Sequence, residues 1–281
     1  MTGCCAQIRR SRPLLGTYVE IVLHGAEQAY LHAAADRAFA EIQRIHRLMS
    51  RFEEASDVSR MNRLAFAGAV RVEPDTWLTL ALARDVAQAS NGAFDITVTA
   101  HDESGKLRRD PKACYDDVEL LEKYRVRFRR RLQVDLGGIA KGYAVDAAAA
   151  LLSRDGLMSG CVNAGGDLRV FGEFDRQIEI RSPDDPFRPA ALARVRNQAI
   201  ATSACYPAAT YYPASGRVLD ERGNRAGQGR SATVRSDQCA VADALAKAVL
   251  LLGSHAASAL ARFDASGFLL DSEGLHWVGA T

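Results

Sequence analysis

A chain of 281 residues, 48% of them hydrophobic, can bury one extended core or two closely packed lobes, which excludes disordered and collagen-like classes. The net charge of +2 and the even scatter of basic residues predict no nucleic-acid surface. Six cysteines, Cys4, Cys5, Cys114, Cys161, Cys205 and Cys239, lack C-x-x-C spacing, so neither a zinc site nor a disulfide framework is expected and a reducing compartment fits. Met1–Arg12 has no apolar h-region, and no apolar stretch approaches the roughly 20 residues that span a bilayer. The expectation is a soluble, cytoplasmic chain without a transmembrane segment.

In chain order, a strand over Thr17–Leu23 leads into a helix over Ala29–Phe52, where Leu31, Ala35, Ala38, Phe39, Ile42, Ile45 and Met49 recur on one face. Asp57 is placed to cap a short helix through Met61, and Asp75 a longer one over Thr76–Ala89 that stops at Asn91-Gly92. From Tyr115 to Leu136 short alternating runs predict strands. The basic run Arg125, Arg127, Arg129, Arg130 and Arg131 alternates early with apolar residues, as in a strand with one solvated face. A helix over Lys141–Ser153 follows the break at Asp135-Leu136-Gly137-Gly138. Strands over Leu157–Gly172, folded at Gly165-Gly166, then Gln177–Arg181, Leu192–Arg196 and Ala232–Arg235 precede an apolar helix over Val241–Leu252 and a hairpin over Phe268–Val278. Helices and hairpins interspersed without strict β-α-β alternation predict an α+β chain with mostly antiparallel sheet. No repeat, low-complexity tract or linker divides it, so residues 1–281 are expected to form one domain.

Chemistry concentrates at Val134-Asp135-Leu136-Gly137-Gly138-Ile139-Ala140-Lys141-Gly142-Tyr143-Ala144-Val145-Asp146. Paired glycines between strand and helix let a backbone approach a ligand closely, and the helix start offers free N–H groups to an anion. A turn made only for packing is the alternative. The loop is not a Walker A motif, because Lys141 is followed by Gly142 and not by Ser or Thr.

This run resembles the D-L-G-G-I-A-K-G-Y-A-V-D signature of the ApbE family of FAD:protein FMN transferases. Other segments are similar in the same order. Leu15-Gly16-Thr17 resembles the family's M-G-T, and Ser50-Arg51-Phe52 followed by Ser56–Asn62 its S-x-Y/F…S-x-x-S-R-x-N. Asn91–Val98 resembles G-A-F-D-x-T-V, Val162–Asp167 resembles V-N-A-G-G-D, Ile200–Ser203 matches I-A-T-S, and Val241–Ala248 resembles A-D-A-L-A-T-A. The motifs span about residues 13–253, leaving a helix and hairpin in 254–281.

The resemblance implies two interleaved α/β lobes of mostly antiparallel sheet flanked by helices, a T-fold-like arrangement with FAD in the cleft. It also implies cleavage of FAD at its pyrophosphate, attachment of FMN to a Thr or Ser of an acceptor flavoprotein, and release of AMP, with Mg²⁺ assisting. Carried over by position, Leu15, Phe52, Ala93, Phe94, Asp95, Asp135, Lys141 and Val218 would contact FAD. Gly138, Asp243 and the residue at 247 would form the metal site, and Asp243, Arg217 and Asp220 the catalytic set.

Two polar positions depart from the family. Lys247 stands where the family has Thr; an ammonium has no lone pair for Mg²⁺, and i,i+4 spacing turns it toward Asp243. Arg217 stands where the family has His in H-I-I-D-P, and arginine cannot act as a base at neutral pH but can hold a phosphate. The stretch from Asp95 to Asp135 is also short for the family. FMN transfer with a weakened metal site is the leading expectation. An FAD-binding paralogue without transferase activity, or an FAD pyrophosphatase, are the alternatives.

Overall fold

A computed structural model of the chain describes residues 6–25, 27–97, 110, 112–183, 185, 188–205 and 229–279. In chain order the first half comprises β1 (Ala6–Leu14), β2 (Thr17–Gly25), α1 (Gln28–Met49), α2 (Asp57–Leu64), β3 (Val70–Arg71), α3 (Pro74–Ala89), β4 (Val118–Leu121) and β5 (Arg125–Phe128). Then come α4 (Ala140–Arg154), β6 (Ser159–Ala164), β7 (Asp167–Gly172), β8 (Asp175–Arg181), β9 (Pro189–Arg196), β10 (Ala199–Cys205), β11 (Arg230–Ser236), α5 (Cys239–Leu252), α6 (Ala257–Arg262), β12 (Ser266–Asp271) and β13 (Gly274–Val278).

Eight strands form one sheet in the order β1-β2-β6-β7-β10-β11-β12-β13. Its neighbours pair antiparallel throughout, which makes the class α+β as the interspersed hairpins predict. Strand alternation explains its two faces. Val19, Ile21 and Leu23 of β2 point into the main core with α1, while Val22 joins Cys161, Val170, Ile200 and Val195 on the other face, covered by the β8–β9 ribbon. Helices α1, α4 and α5 lie side by side on the first face.

The apolar stripe predicted for α1 is buried in full, from Leu31 to Met49. The helix stops at Met49 and not at Phe52, because Ser50 turns extended and its Oγ accepts the Phe52 N–H at 3.2 Å. That exit releases Arg51 and Phe52 from the helix. The first strand precedes the predicted one: β1 is basic, buries chiefly Ile8, and sits on the sheet edge, where Pro13 breaks no inner ladder.

Two predicted caps are corrected. Ser56, not Asp57, caps α2 by accepting the Ser59 N–H at 3.0 Å; Asp57 is buried at 2% exposure and instead accepts the Glu73 N–H and the Thr76 hydroxyl, each at 2.8 Å. Helix α3 begins at Pro74, so Asp75 lies inside it and takes hydrogen bonds from Tyr143 and Arg44, both at 2.7 Å. In each case a partner distant in sequence outcompetes the local cap.

The segment expected to be strand through Leu136 is strand only to Phe128. Beyond it the ladder is replaced by a side chain: Asn62 donates to the Val134 carbonyl at 2.9 Å and accepts its N–H at 2.7 Å. In β5, Arg125 and Arg127 face solvent while Val126 and Phe128 are buried. Arg127 and Arg129 bond Glu119, holding its carboxyl down at about 2.

By length and composition the run Cys239–Arg262 could cross a bilayer. In the fold, α5 is enclosed by the sheet, α3 and α4, with Val241, Leu245 and Val249 buried, as suits a core helix.

Candidate active site

The site is built where α4 crosses α5. A Cβ on Gly142 would lie 2.4 Å from the Cys239 carbonyl oxygen and 2.7 Å from Ala240 Cα, so only glycine allows this approach. One turn later Asp146 caps α5, its two oxygens accepting the N–H groups of Cys239 and Ala240, each at 2.9 Å. The K-G-Y-A-V-D run therefore docks one helix start onto another. Asp243 is carried into the contact, and its Oδ2 accepts the Gly142 N–H at 3.2 Å.

Asp243 is 1% exposed and meets two lysines. Lys247 forms an ion pair with its Oδ1, and also donates to the Asp243 carbonyl at 2.9 Å and to Ser203 Oγ at 3.4 Å. Lys141 Nζ lies 3.9 Å from Asp243 Oδ2 and forms an ion pair with Asp167. The result is an alternating cluster of two ammonium groups and two buried carboxylates. Burial, reinforced by Asp243, pushes the Asp167 carboxyl up against the pull of Lys141. Burial draws Lys141 down, but the two carboxylates outweigh it and hold the ammonium above its ordinary range. Burial also pushes the Cys239 thiol well up, so it stays an unreactive thiol at neutral pH.

Asp167 arrives by hairpin geometry. Between β6 and β7, Gly165 and Gly166 take φ of 66° and 107°, and Asn163 Oδ1 accepts the Gly166 N–H at 2.9 Å. The β1–β2 turn sits against this one, since a Cβ on Gly165 would lie 2.5 Å from Thr17 Oγ1. That turn holds Leu15, half-buried in the left-handed region at φ 58°.

The glycine loop before α4 forms the opposite border. Asp135 Oδ1 accepts the Gly137 N–H at 2.8 Å, and its Oδ2 lies 3.2 Å from Arg51 Nε. The Arg51 guanidinium lies 4.6 Å from the ring centroid of Phe52, whose side chain is 83% exposed. Phe94 is buried against Gly138: a Cβ there would come within 3.1 Å of Phe94 Cε2 and 3.2 Å of Lys247 Cδ. Ala93 and Asp95 follow in the exit from α3. The Asp95 carboxylate accepts from the Thr97 N–H at 2.7 Å and the Tyr115 N–H at 3.2 Å, shaping the loop.

The fold thus gathers Phe94, Gly138, Lys141, Asp243 and Lys247 at one place, with Asp135, Arg51 and Phe52 on its rim. Arg217, Val218 and Asp220 lie outside the described residues. Three participants were not singled out from sequence. Asp167 and Ser203 are the last residues of the V-N-A-G-G-D and I-A-T-S runs, and Asp146 closes the glycine-loop run, so the motif ends were the available signal.

The donor set does not fit a divalent cation with Lys247 in place. Asp243 Oδ1 is held by an ammonium and Oδ2 by an N–H, and the described residues contain no group of three or more His, Cys, Asp or Glu able to hold a metal.

An antiparallel sheet layered with helices, carrying glycine turns around a buried lysine–aspartate cluster, defines the class. The chain belongs to the ApbE family, whose model matches residues 15–268. It is 28% identical to the FAD:protein FMN transferase of Rhodobacter capsulatus over 91% of this chain and 53% of that protein. It is 25% identical to the FAD:protein FMN transferase of Treponema pallidum over 70% of this chain and 64% of that one. The chain therefore spans about half the length of the first relative and under two thirds of the second. Among solved structures, the ApbE protein of Thermotoga maritima superposes with a TM-score of 0.83 at 25% identity, covering 97% of each chain. The flavin transferase ApbE from Vibrio cholerae has a TM-score of 0.77 at 21% identity over 99% of this chain and 98% of that one, a likeness of fold.

Proposed function

We propose that this chain is an FAD:protein FMN transferase: it binds FAD, cleaves the pyrophosphate, and attaches FMN to a Thr or Ser of an acceptor flavoprotein. The observation that carries this reading is the convergence of two lysines on one buried carboxylate, beside the glycine loop and the start of α4. Such a place suits a pyrophosphate, because fixed ammonium groups favour an anion. The exposed ring of Phe52 offers a stacking face for an aromatic heterocycle at the rim.

The transfer balances without a redox step. The acceptor hydroxyl oxygen forms a bond to the phosphorus of the FMN half, the bond from that phosphorus to the bridging oxygen breaks, and AMP leaves with that oxygen. The hydroxyl proton passes to solvent or to Asp220. Lys141 and Lys247 offset charge on the pyrophosphate oxygens, and the family resemblance assigns Arg217, outside the described residues, to hold a phosphate by its fork of donors.

The test is to mix the purified chain, FAD and an acceptor domain bearing the target Thr. Expected are flavin fluorescence on the denatured acceptor and one AMP per flavin attached. A second reading, FAD held without transfer, is favoured by the Lys247 ammonium on Asp243; bound FAD with no AMP would select it. Absence of FAD binding at tens of micromolar, a modest affinity, removes both.

A further inference from the structure

Lys247 Nζ lies among three oxygens: Asp243 Oδ1, the Asp243 carbonyl at 2.9 Å and Ser203 Oγ at 3.4 Å. An ammonium has three protons to donate, so this surrounding matches its capacity. The stem is accommodated as well as the head. A Cβ on Gly138 would come within 3.2 Å of Lys247 Cδ and 3.3 Å of Cε, so the missing side chain of Gly138 leaves the room in which the stem lies. Helix geometry sets the rest, since residues 243 and 247 share one face of α5 and Asp243 is immobilised by the Gly142 N–H.

We propose that Lys247 is a resident cation: its ammonium fills the oxygen-lined place beside Asp243 where a divalent metal would otherwise sit, and makes pyrophosphate binding independent of Mg²⁺. A second cation at that place would meet a fixed positive charge and would lack the carboxylate oxygen that Lys247 already holds. Lys141, 3.9 Å from the other oxygen of Asp243, has its own charge offset by Asp167, so the repulsion comes chiefly from Lys247. Mg²⁺ demands near-octahedral oxygen coordination, and an amine with no lone pair removes one corner of it. A tethered cation also needs no recruitment from solution, so its contribution does not vary with metal concentration. The pyrophosphate part of this inference rests on the FAD reading above; the cation part does not.

The experiment has two arms on the purified full chain. In the first, Mn²⁺ is titrated in the absence of flavin and followed by loss of the free-ion EPR signal, for the wild type and for Lys247→Thr. The wild type is expected to show no stoichiometric site, and Lys247→Thr to bind Mn²⁺ at least about tenfold more tightly. A stoichiometric site in the wild type that Lys247→Thr leaves unchanged overturns the inference, and so does a folded Lys247→Thr that gains no site. In the second arm FAD binding is measured with excess Mg²⁺ and with EDTA. The wild type should bind equally in both. Lys247→Met, which keeps the stem beside Gly138 and Phe94, should lose about tenfold in EDTA. Wild-type binding abolished by EDTA, or Lys247→Met binding like wild type, overturns it. If no variant binds FAD under either condition, the FAD reading fails, and the Mn²⁺ arm still decides whether Lys247 holds the cation place.

Discussion

Asp146 Oδ1 accepts the backbone N–H of Cys239 at 2.9 Å, joining the fourth helix to the start of the fifth. The other oxygen takes the next N–H, of Ala240, at the same distance. Gly142, one turn earlier, allows the two backbones to touch. Together they set the register that brings Asp243 beside Lys141. Gly142→Ala forces a methyl to 2.4 Å from a carbonyl oxygen, so it should cost about 1–3 kcal/mol or more, measured as a lower urea midpoint. It should also weaken FAD binding, because α5 must shift and Asp243 with it.

Asp146 also carries a pH signature. Burial pushes its carboxyl up to about 6 from an ordinary 3.8, against the two N–H donors that pull it down. Between about pH 4 and 6 the native protein therefore keeps a proton that the unfolded chain has released, and this group makes stability fall as pH rises. The full contribution is about 3 kcal/mol, reached above the native value. Urea unfolding of wild type and Asp146→Asn should show the difference moving in favour of the variant from pH 4 to 7. A difference independent of pH would show that Asp146 does not titrate in this window.

Phe52 separates binding from folding. Its ring is 83% exposed, so Phe52→Ala should leave stability within about 0.5 kcal/mol. If the ring stacks on a heterocycle of FAD, affinity should fall about tenfold or more, since such stacking is worth about 1–3 kcal/mol. Fluorescence titration beside a thermal scan checks both. Unchanged affinity would remove Phe52 from the site.

Asp135 does two things in one loop, accepting the Gly137 N–H and pairing with Arg51. Asp135→Ala should loosen both, costing about 1 kcal/mol and lowering Tm by about 2–4 °C, with a larger proportional loss of FAD affinity. A large drop in Tm without a binding defect in the folded fraction would assign the loop to packing alone.

Removing Asp243 leaves Lys247 without its counter-charge and Lys141 with Asp167 alone. Asp243→Ala should cost about 3–5 kcal/mol, as expected when one partner of a buried ion pair is deleted. Asp243→Leu combined with Lys247→Met should recover most of that stability while abolishing AMP release. Calorimetry and the AMP assay distinguish the two outcomes.

Much of this was legible in the chain itself. The stripe from Leu31 to Met49 repeats with the helical period, so α1 was fixed by local geometry, and Gly165-Gly166 marked a hairpin because only glycine takes such φ values freely. The meeting of Lys247 with Asp243 follows from four-residue spacing on one helix. What only the tertiary structure decided are the pairings across long separations. Asp167 reaches Lys141 from 26 residues away, and Asp146 reaches Cys239 from 93 where Gly142 lets the two helix backbones touch; buried polar groups brought together in this way demand partners. The same competition moved Asp57 and Asp75 from the caps their local sequence suggests to distant partners. A local hydrogen bond gives way where the fold offers a carboxylate several donors at once, and which donors are offered depends on the packing of elements that the local sequence does not describe.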